Sequence, residues 1–386
     1  MKILIVHSTY QQKGGEDSVM EAEAAMLARQ GHIVKLFLRQ NEALHHISRS
    51  NAAVQTIWSL PAARDFEGLL RSFNPDVVHV HNTFPLISPS IYWVADRLGV
   101  PIVQTLHNFR LLCPQAVFLR NGKVCEDCLG RVPWRGAARG CYRESKIQSA
   151  VLAGMVTLHR ALGTWQNKVT RYIALNEFCR TKLIQGGLPA ARIVIKPNFV
   201  DDAAPVEGVR AGFLFVGRLS AEKGVDVLVN AAKICGTSVI RVAGVGPQAA
   251  LLDNVTGVTR LSALSSASVR TEMSQAMALI LPSICYEGFP RTLVEAFACG
   301  LPIIASRLGP LPELVNEGVT GMLFDPGNAD DLAKKMDWAL QHPGEMAQMG
   351  RNGRARYEAE FTAEHNYKQL MAIYADAIDA VKSDPP

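Results

Sequence analysis

Two rhythms alternate along the chain: short unbroken apolar runs, and stretches in which apolar residues return every three or four positions. The first suits strands buried on both faces, and the second suits helices with one face on a core. Residues 2–6, KILIV, are the first such run. A helix is expected from a Ser18 cap to about Gln30, with Val19, Ala22, Met26 and Leu27 as its stripe and Gly31 as its stop. Residues 32–38 return as a strand, which makes the opening a βαβ unit of Rossmann type. Further strands are expected at 75–82, 101–106, 171–175 and 193–195. Helical patterns fill 147–165 and 177–185, and in the former Ile147, Val151, Met155, Leu158, Leu162 and Trp165 have the spacing of a core-facing stripe.

The alternation resumes after a linker-like stretch, 196–205. Strands are expected at 211–216, 238–243, 277–281 and 303–306, with helices ending at Cys235 and spanning 268–276, 329–341 and 362–381. Between the strands 277–281 and 303–306 lie a loop with Gly288 and Pro290, a helical pattern, and a stop at Gly300 and Pro302. Strand, loop, helix, strand joins parallel strands through a right-handed crossover. The fold class is therefore α/β, with two Rossmann-like doubly wound domains, and the last helix is expected to cross back and brace the first.

A length of 386 residues fits two domains of roughly 150–200 residues each. Hydrophobic content of 48% with 19% charged residues is that of a globular protein and excludes a disordered chain. The net charge of +5 allows phosphate ligands or anionic surfaces, and no nucleic-acid partner is expected. Residues 2–6 are too short for a signal core, and the uncharged stretch 147–158 falls short of the ~20 residues that span a bilayer. A cytoplasmic location follows, in which the eight cysteines are thiols or metal ligands rather than disulfides.

Candidate chemistry gathers where strands end, because ligands of parallel sheets bind there beside helix N-termini. Glu287 lies in the loop after 277–281, and Glu295 lies among Leu293, Val294, Ala296, Phe297 and Ala298. Either both accept hydrogen bonds from a ligand rich in hydroxyls, or Glu295 pairs with Arg291 and Glu287 is solvated. Arg218 and Lys223, between a strand and a helix, suit a diphosphate; a surface ion pair with Glu222 is the alternative. Gly14 and Gly15 let backbone approach a ligand, or simply form a turn. The Gly244-Val245-Gly246 turn lacks the third glycine of a dinucleotide fingerprint, which counts against a dehydrogenase. His107 stands at the end of a strand, where ligand contact or acid–base chemistry is expected. His79 and His81 alternate and would share a face, with no third metal ligand near them in sequence.

Cys113, Cys125, Cys128 and Cys141 are spaced C-x11-C-x2-C-x12-C, which suits either a structural zinc with four thiolates or four free thiols. The same segment, 110–146, carries Arg110, Arg120, Lys123, Arg131, Arg135, Arg139, Arg143 and Lys146 beside Trp134 and Tyr142. It reads as a surface for anionic lipid headgroups or a phosphorylated acceptor, or as an ordinary solvated loop.

In order along the chain stand Gly14-Gly15, PNFVD (197–201), VGRLSAEKG (216–224), EGFPRTLVEAFACGLPIIAS (287–306) and a G-x-T-G-x-L-F match at 318–324. With these pieces the chain resembles glycosyltransferase family 4, the retaining GT-B enzymes, over nearly its whole length. The resemblance implies an N-terminal acceptor domain at 1–196, a linker at 197–206, a donor domain at 207–362 and a C-terminal helix, 363–386, packed back on the first domain, with a central cleft between the two domains. It implies hexosyl transfer with retention from a UDP- or GDP-sugar to a hydroxyl of a glycan or lipid-linked acceptor, in cell-surface polysaccharide or glycolipid synthesis. No cofactor is required for that chemistry, and a peripheral place on the inner face of the membrane is compatible with it. Arg218 and Lys223 would hold the donor diphosphate, Glu295 the ribose hydroxyls and Glu287 the sugar hydroxyls. Phe289, Pro290, Arg291 and Thr292 would lie near phosphates and sugar, Gly244 near the nucleotide, Gly14 and Gly15 near the donor phosphate or acceptor, and His107 against the transferred sugar. A sugar-nucleotide epimerase of the same fold, or a non-catalytic metal- or thiol-dependent regulator, is the rival expectation.

Overall fold

The computed structural model describes residues 1–9, 14–42, 47–202, 210–236 and 239–383. The chain forms two compact units. The first comprises Met1–Val117, Glu126–Asn198 and Asn366–Pro386, and the second Phe118–Cys125 and Phe199–His365. The expected linker, 197–206, lies outside the described residues from 203 onward.

Strands of the first half are β1 (Lys2–Thr9), β2 (Ile33–Gln40), β3 (Val77–Asn82), β4 (Ile102–Thr105), the short antiparallel pair β5 (Leu119–Arg120) and β6 (Lys123–Val124), β7 (Arg171–Ala174) and β8 (Ile193–Ile195). Those of the second half are β9 (Phe213–Val216), β10 (Ile240–Ala243), β11 (Val258–Arg260), β12 (Ala278–Leu281), β13 (Ile303–Ser306) and β14 (Gly321–Phe324).

The first unit holds a parallel sheet in the order β2-β1-β3-β4-β7-β8. Ile3, Leu4, Ile5, Val6, Val77, Val78 and Val80 are fully buried, as strands covered on both faces require. The first helix, Gly15–Arg29, starts earlier than a Ser18 cap would allow. Gly14 is its N-cap, and the Asp17 carboxylate accepts the Gly14 N–H at 2.7 Å. Asp17 reaches back to the cap as the acidic residue of a capping box does, and its charge sits where the helix dipole favours it. Helices at Arg49–Ile57, Leu60–Phe73 and Ser90–Arg97, on either side of β3, lie where the apolar pattern predicts no element.

The stripe expected from Ile147 to Trp165 is rotated. In the helix Lys146–Ala161 the buried positions are Ser149, Leu152, Ala153, Met155, Val156 and His159. Ile147 is 79% exposed, and Leu158 and Leu162 face water as well. Small residues on one side let the helix pack closely against the short helix Trp134–Arg139, and that contact decides the face.

The second unit repeats the plan, with the order β11-β10-β9-β12-β13-β14, every pair parallel. Its core is built on Phe213, Phe215, Val225, Leu228, Ile240, Ile280 and Ile304, with Leu332 and Met336 from the helix Ala329–Gln341. Strand β11 and the helix Pro343–Glu360 are unpredicted; the latter is rich in charged residues and glycine, which masks its apolar face. The start of the strand expected at 238 lies outside the described residues, and β10 begins at Ile240. In each sheet the chain builds outward in both directions from its first strand. The switch points of strand order therefore fall between β1 and β3 and between β9 and β12, where open α/β sheets bind ligands.

Candidate functional site

The switch point of the second unit brings two loops side by side. One follows β9 and carries Arg218 and Lys223; the other follows β12 and carries Ser283 and Glu287. Lys223 Nζ donates to Glu287 Oε1 at 2.6 Å and to Oε2 at 2.8 Å, and Ser283 Oγ donates to Oε1 at 2.6 Å. Glu287 is thus not a solvated carboxylate. Lys223 does not pair with Glu222, whose carboxylate accepts a hydrogen bond from Ser220 Oγ instead. Burial by itself would raise the Glu287 carboxyl, but Lys223 and the Ser283 bond outweigh it and hold the group below the usual range. Burial would likewise lower the Lys223 ammonium, and Glu287, Cys285 and Glu222 together hold it above the ordinary lysine value. Arg218 is exposed on the same loop.

Two glycines make this geometry possible. Gly224 has φ +70°, and a Cβ there would lie 1.9 Å from the Pro282 carbonyl oxygen. The two loops touch backbone to backbone at that point, which no other residue permits. At Gly244 a Cβ would lie 1.8 Å from the Gly217 carbonyl oxygen, so the turns after β9 and β10 are also in direct contact.

Next to the Glu287 loop runs the helix Arg291–Ala298, with Pro290 at its N-cap. Phe289 and Pro290 are buried, and Arg291 and Thr292 are half-buried in the first turn. Glu295 meets Arg291 Nε at 3.2 Å, so the ion pair expected as one of two readings is present. Burial raises the Glu295 carboxyl above its ordinary value despite the opposing pull of Arg291 and Arg270.

The first unit has its own polar centre at the carboxyl ends of β1, β3 and β4. Gly14 and Gly15 open the first helix, and a Cβ at Gly15 would meet nothing within 4 Å among the described residues. Packing therefore gives no reason for glycine there. His107 follows β4 and is half-buried. Its Nε2 lies 3.0 Å from His81 Nδ1. His79 and His81 do share one face, with ring centroids 4.3 Å apart. His79 is bonded at both nitrogens, to Tyr374 Oη at 2.7 Å and Thr105 Oγ1 at 2.8 Å. Close to both rings is the fully buried Glu23, whose Oε2 is 3.4 Å from His81 Nε2 and 3.6 Å from His79 Nδ1. Its other oxygen accepts from Lys196 Nζ at 2.6 Å. Sequence reasoning missed Glu23 and Lys196. A glutamate inside the apolar stripe of the first helix and a lysine after a strand were the available signals.

Cys113 and Cys128 are buried, and Cys125 and Cys141 partly so. Cys113, Cys128 and Cys141 belong to the first unit and Cys125 to the second. In the basic segment, the Arg110 guanidinium lies over the rings of Phe84 and Tyr142, and Arg139 pairs with Asp127. Trp134, Val132 and Ile147 are exposed beside Arg131, Arg135 and Lys146. Among the described residues no helix is long and apolar enough to cross a membrane.

Comparison with known proteins adds a family to this geometry. The pattern of Glycosyltransferase Family 4 matches residues 13–204, and that of Glycosyl transferases group 1 matches residues 205–356. The chain belongs to the family 4 glycosyltransferases of GT-B type. It is 27% identical over 321 residues to the D-inositol 3-phosphate glycosyltransferase of Mycobacterium marinum, covering 78% of this chain and 64% of that protein. It is 32% identical over 182 residues to the MMP alpha-(1->4)-mannosyltransferase of Mycolicibacterium hassiacum, covering 46% of this chain and 42% of that protein. The chain thus spans less than two thirds of the length of these relatives. Among solved structures, sucrose-phosphate synthase from Thermosynechococcus elongatus superposes with a TM-score of 0.74 at 19% identity, over 98% of this chain and 99% of the other. Anabaena HepE in complex with UDP-glucose superposes with a TM-score of 0.68 at 18% identity, over 97% and 99%. These likenesses bear on the fold, two Rossmann-like α/β domains of GT-B type.

Proposed function

We propose that this family 4 protein transfers a hexose, with retention, from a nucleotide-diphosphate sugar to a hydroxyl of a glycan or lipid-linked acceptor. The observation that carries this reading is the Lys223–Glu287–Ser283 cluster at the switch point of the second sheet, with Arg218 on the same loop. A departing diphosphate develops negative charge, and preorganised cations in a sparsely hydrated site stabilise it most. Arg218 and Lys223 supply that charge. Glu287 holds Lys223 in place and keeps carboxylate lone pairs for the sugar hydroxyls. Glu295, with its raised carboxyl, takes the ribose hydroxyls, and the Phe289–Thr292 stretch lies near the phosphates. Gly244 lies near the nucleotide. Gly15, free of packing constraints, admits the donor phosphate or the acceptor, and His107 meets the transferred sugar. UDP-sugars are the first donors to try, since HepE has been captured with UDP-glucose, and GDP-sugars the second.

The expected place of work is the cytoplasmic face of a membrane, in polysaccharide or glycolipid synthesis. The exposed Trp134, Val132 and Ile147 among basic residues support docking on anionic lipid. The buried Cys113 and Cys128, with Cys125 and Cys141, are proposed to hold a structural zinc, which metal analysis of the reduced protein tests.

A thermal-shift screen over UDP- and GDP-sugars identifies the donor, because a ligand bound only by the folded protein raises its melting temperature. With that donor, Lys223→Ala and Glu287→Ala are each expected to lower transfer by about 100-fold or more while the fold persists. Undiminished turnover in both would sink the assignment.

A further inference from the structure

The buried polar centre of the first unit holds two polar atoms without a hydrogen-bond partner, Glu23 Oε2 and His81 Nε2, and they lie 3.4 Å apart. Such atoms are costly in a protein interior unless a proton lies between them. One explanation is a metal ion held by Glu23, His79 and His81, whose ligand atoms lie within 4.8 Å of one another. The surroundings argue against it. Lys196 Nζ lies 2.6 Å from the other carboxylate oxygen, Oε1, and already neutralises the charge that would draw a cation in. His79 Nδ1, the only nitrogen it could offer there, is 2.7 Å from Tyr374 Oη.

A proton explains the same facts. Glu23 is held ionised: burial would raise its carboxyl, but the neighbouring Lys196, by its charge and its hydrogen bond, opposes this, and the carboxyl lies below its ordinary value. A carboxylate only accepts, so the His81 nitrogen facing it must carry the hydrogen. Burial keeps His81 neutral at physiological pH, and a neutral imidazole has a single N–H. His81 Nδ1 is then a bare lone pair, and the nitrogen 3.0 Å away, His107 Nε2, must be its donor. The two rings are within 15° of coplanar with centroids 5.2 Å apart, as they are when one ring nitrogen points along the plane at the other. His107 is also neutral, its pKa lowered by burial, so its remaining nitrogen Nδ1 has no hydrogen. Among the described residues that atom has no protein partner.

We propose that Glu23 and His81 are positioning residues that fix the tautomer of His107, so that His107 presents Nδ1 as a hydrogen-bond acceptor for a ligand hydroxyl. Tautomer control of this kind passes from a carboxylate through one imidazole to the next. Lys196 keeps the carboxylate charged, and Asn366 Oδ1, 3.2 Å from Lys196 Nζ, steadies the ammonium in turn. The ligand selected is a hydroxyl donor rather than a carbonyl or phosphate oxygen, both of which would meet Nδ1 lone pair to lone pair. That the hydroxyl belongs to a sugar rests on the function proposed above; the tautomer itself does not.

Nitrogen NMR on the full-length protein carrying 15N-histidine tests this without any ligand. The groups facing His107 are Glu16 and Glu23 from the first helix, His7 from β1, His79 and His81 from β3, and Lys196 after β8, so each contributes to its midpoint. The wild-type protein is expected to give neutral His81 and His107 at pH 7, both protonated at Nε2 only. In Glu23→Gln the negative charge is gone, so the His107 midpoint should fall, and His81 should no longer be held in a single tautomer. Glu23→Gln leaves Lys196 buried without its counter-ion, so the double variant Glu23→Gln/Lys196→Met, which removes the pair together, is run beside it and should show the same loss of single-tautomer signal at His81. A wild-type His107 protonated at Nδ1 overturns the proposal. So does a Glu23→Gln spectrum with both rings unchanged, or stoichiometric metal in the wild-type protein that His81→Gln loses. Transfer by His107→Ala is a separate measurement: full activity there rejects the sugar contact of His107 and leaves the tautomer result standing.

Discussion

Lys223 and Glu287 act on each other before they act on any ligand, and this gives their pair a pH signature. The folded Glu287 carboxyl lies below the unfolded value near ~4.3, so its ionised form stabilises the fold above that value. The contribution is lost as the pH falls through the lower, folded pKa. Glu287→Gln is therefore expected to cost about 1–3 kcal/mol at neutral pH, with the gap to wild type closing as the pH falls through the lowered carboxyl pKa. Urea denaturation at several pH values measures that gap, and one that does not change with pH would contradict the pairing. Both residues were legible because each lies in a loop between a strand and a helix within a short motif. Their bond to each other was not, since 64 residues separate them and only the neighbouring of β9 and β12 brings them together. The pairing of Glu23 with Lys196, 173 residues apart, was hidden in the same way. Glu23 lies within a helix and Lys196 just past β8 at the start of a linker-like stretch, and a charge within an apolar stripe reads as an imperfection until its partner is in view.

At the level of elements, the helix Lys146–Ala161 separates pattern from packing. Apolar residues cover more than half its circumference, so periodicity alone selects a face poorly. The face on the core carries Leu152 and Val156, while Ile147 is in water. Leu152→Ala is expected to destabilise by about 2–5 kcal/mol, and Ile147→Ala by less than about 0.5 kcal/mol, in the same unfolding experiment. Equal losses would return Ile147 to the core. Most strands, by contrast, were legible within a few residues, because a strand buried on both faces leaves an unbroken apolar run. The loops were legible only where glycine was unavoidable. Gly224→Ala should cost at least about 2 kcal/mol, from its left-handed backbone and the collision with the Pro282 carbonyl, and should impair donor binding in the thermal-shift assay.

For the whole molecule the decisive element is the final helix, Ala363–Ser383. From Asn366 onward it belongs to the first unit, where Tyr374 is fully buried against His79 and Asn366 Nδ2 donates to the Pro197 carbonyl at 2.7 Å. Arg171 at the start of β7 pairs with Asp376 of the same helix. Tyr374→Phe removes a buried hydrogen bond and should cost about 1–3 kcal/mol. Deleting residues 366–383 should abolish hydrogen-exchange protection in β3 while β12 keeps its own, and protection lost equally in both would refute that division. The helical pattern of this segment was plain in the sequence. Its partners were visible only as the alternation of two histidines on a strand, because hydrophobic periodicity records that a face is covered and not by what.

The pairing of His79 with Tyr374, 295 positions later, also fixes an order of events during protein synthesis. A ribosome delivers β1, β3, β4 and the first helix long before it delivers Asn366 and Tyr374. Until then the polar centre around Glu23, His79 and Lys196 lacks one wall, and the nascent first unit has an open seam through its middle. The second unit, whose segments after Phe199 are contiguous, can close while that seam waits. Maturation of the N-terminal half is thereby deferred to the final stretch of translation, so a chain broken off before residue 366 would carry a finished second unit beside an unfinished first one.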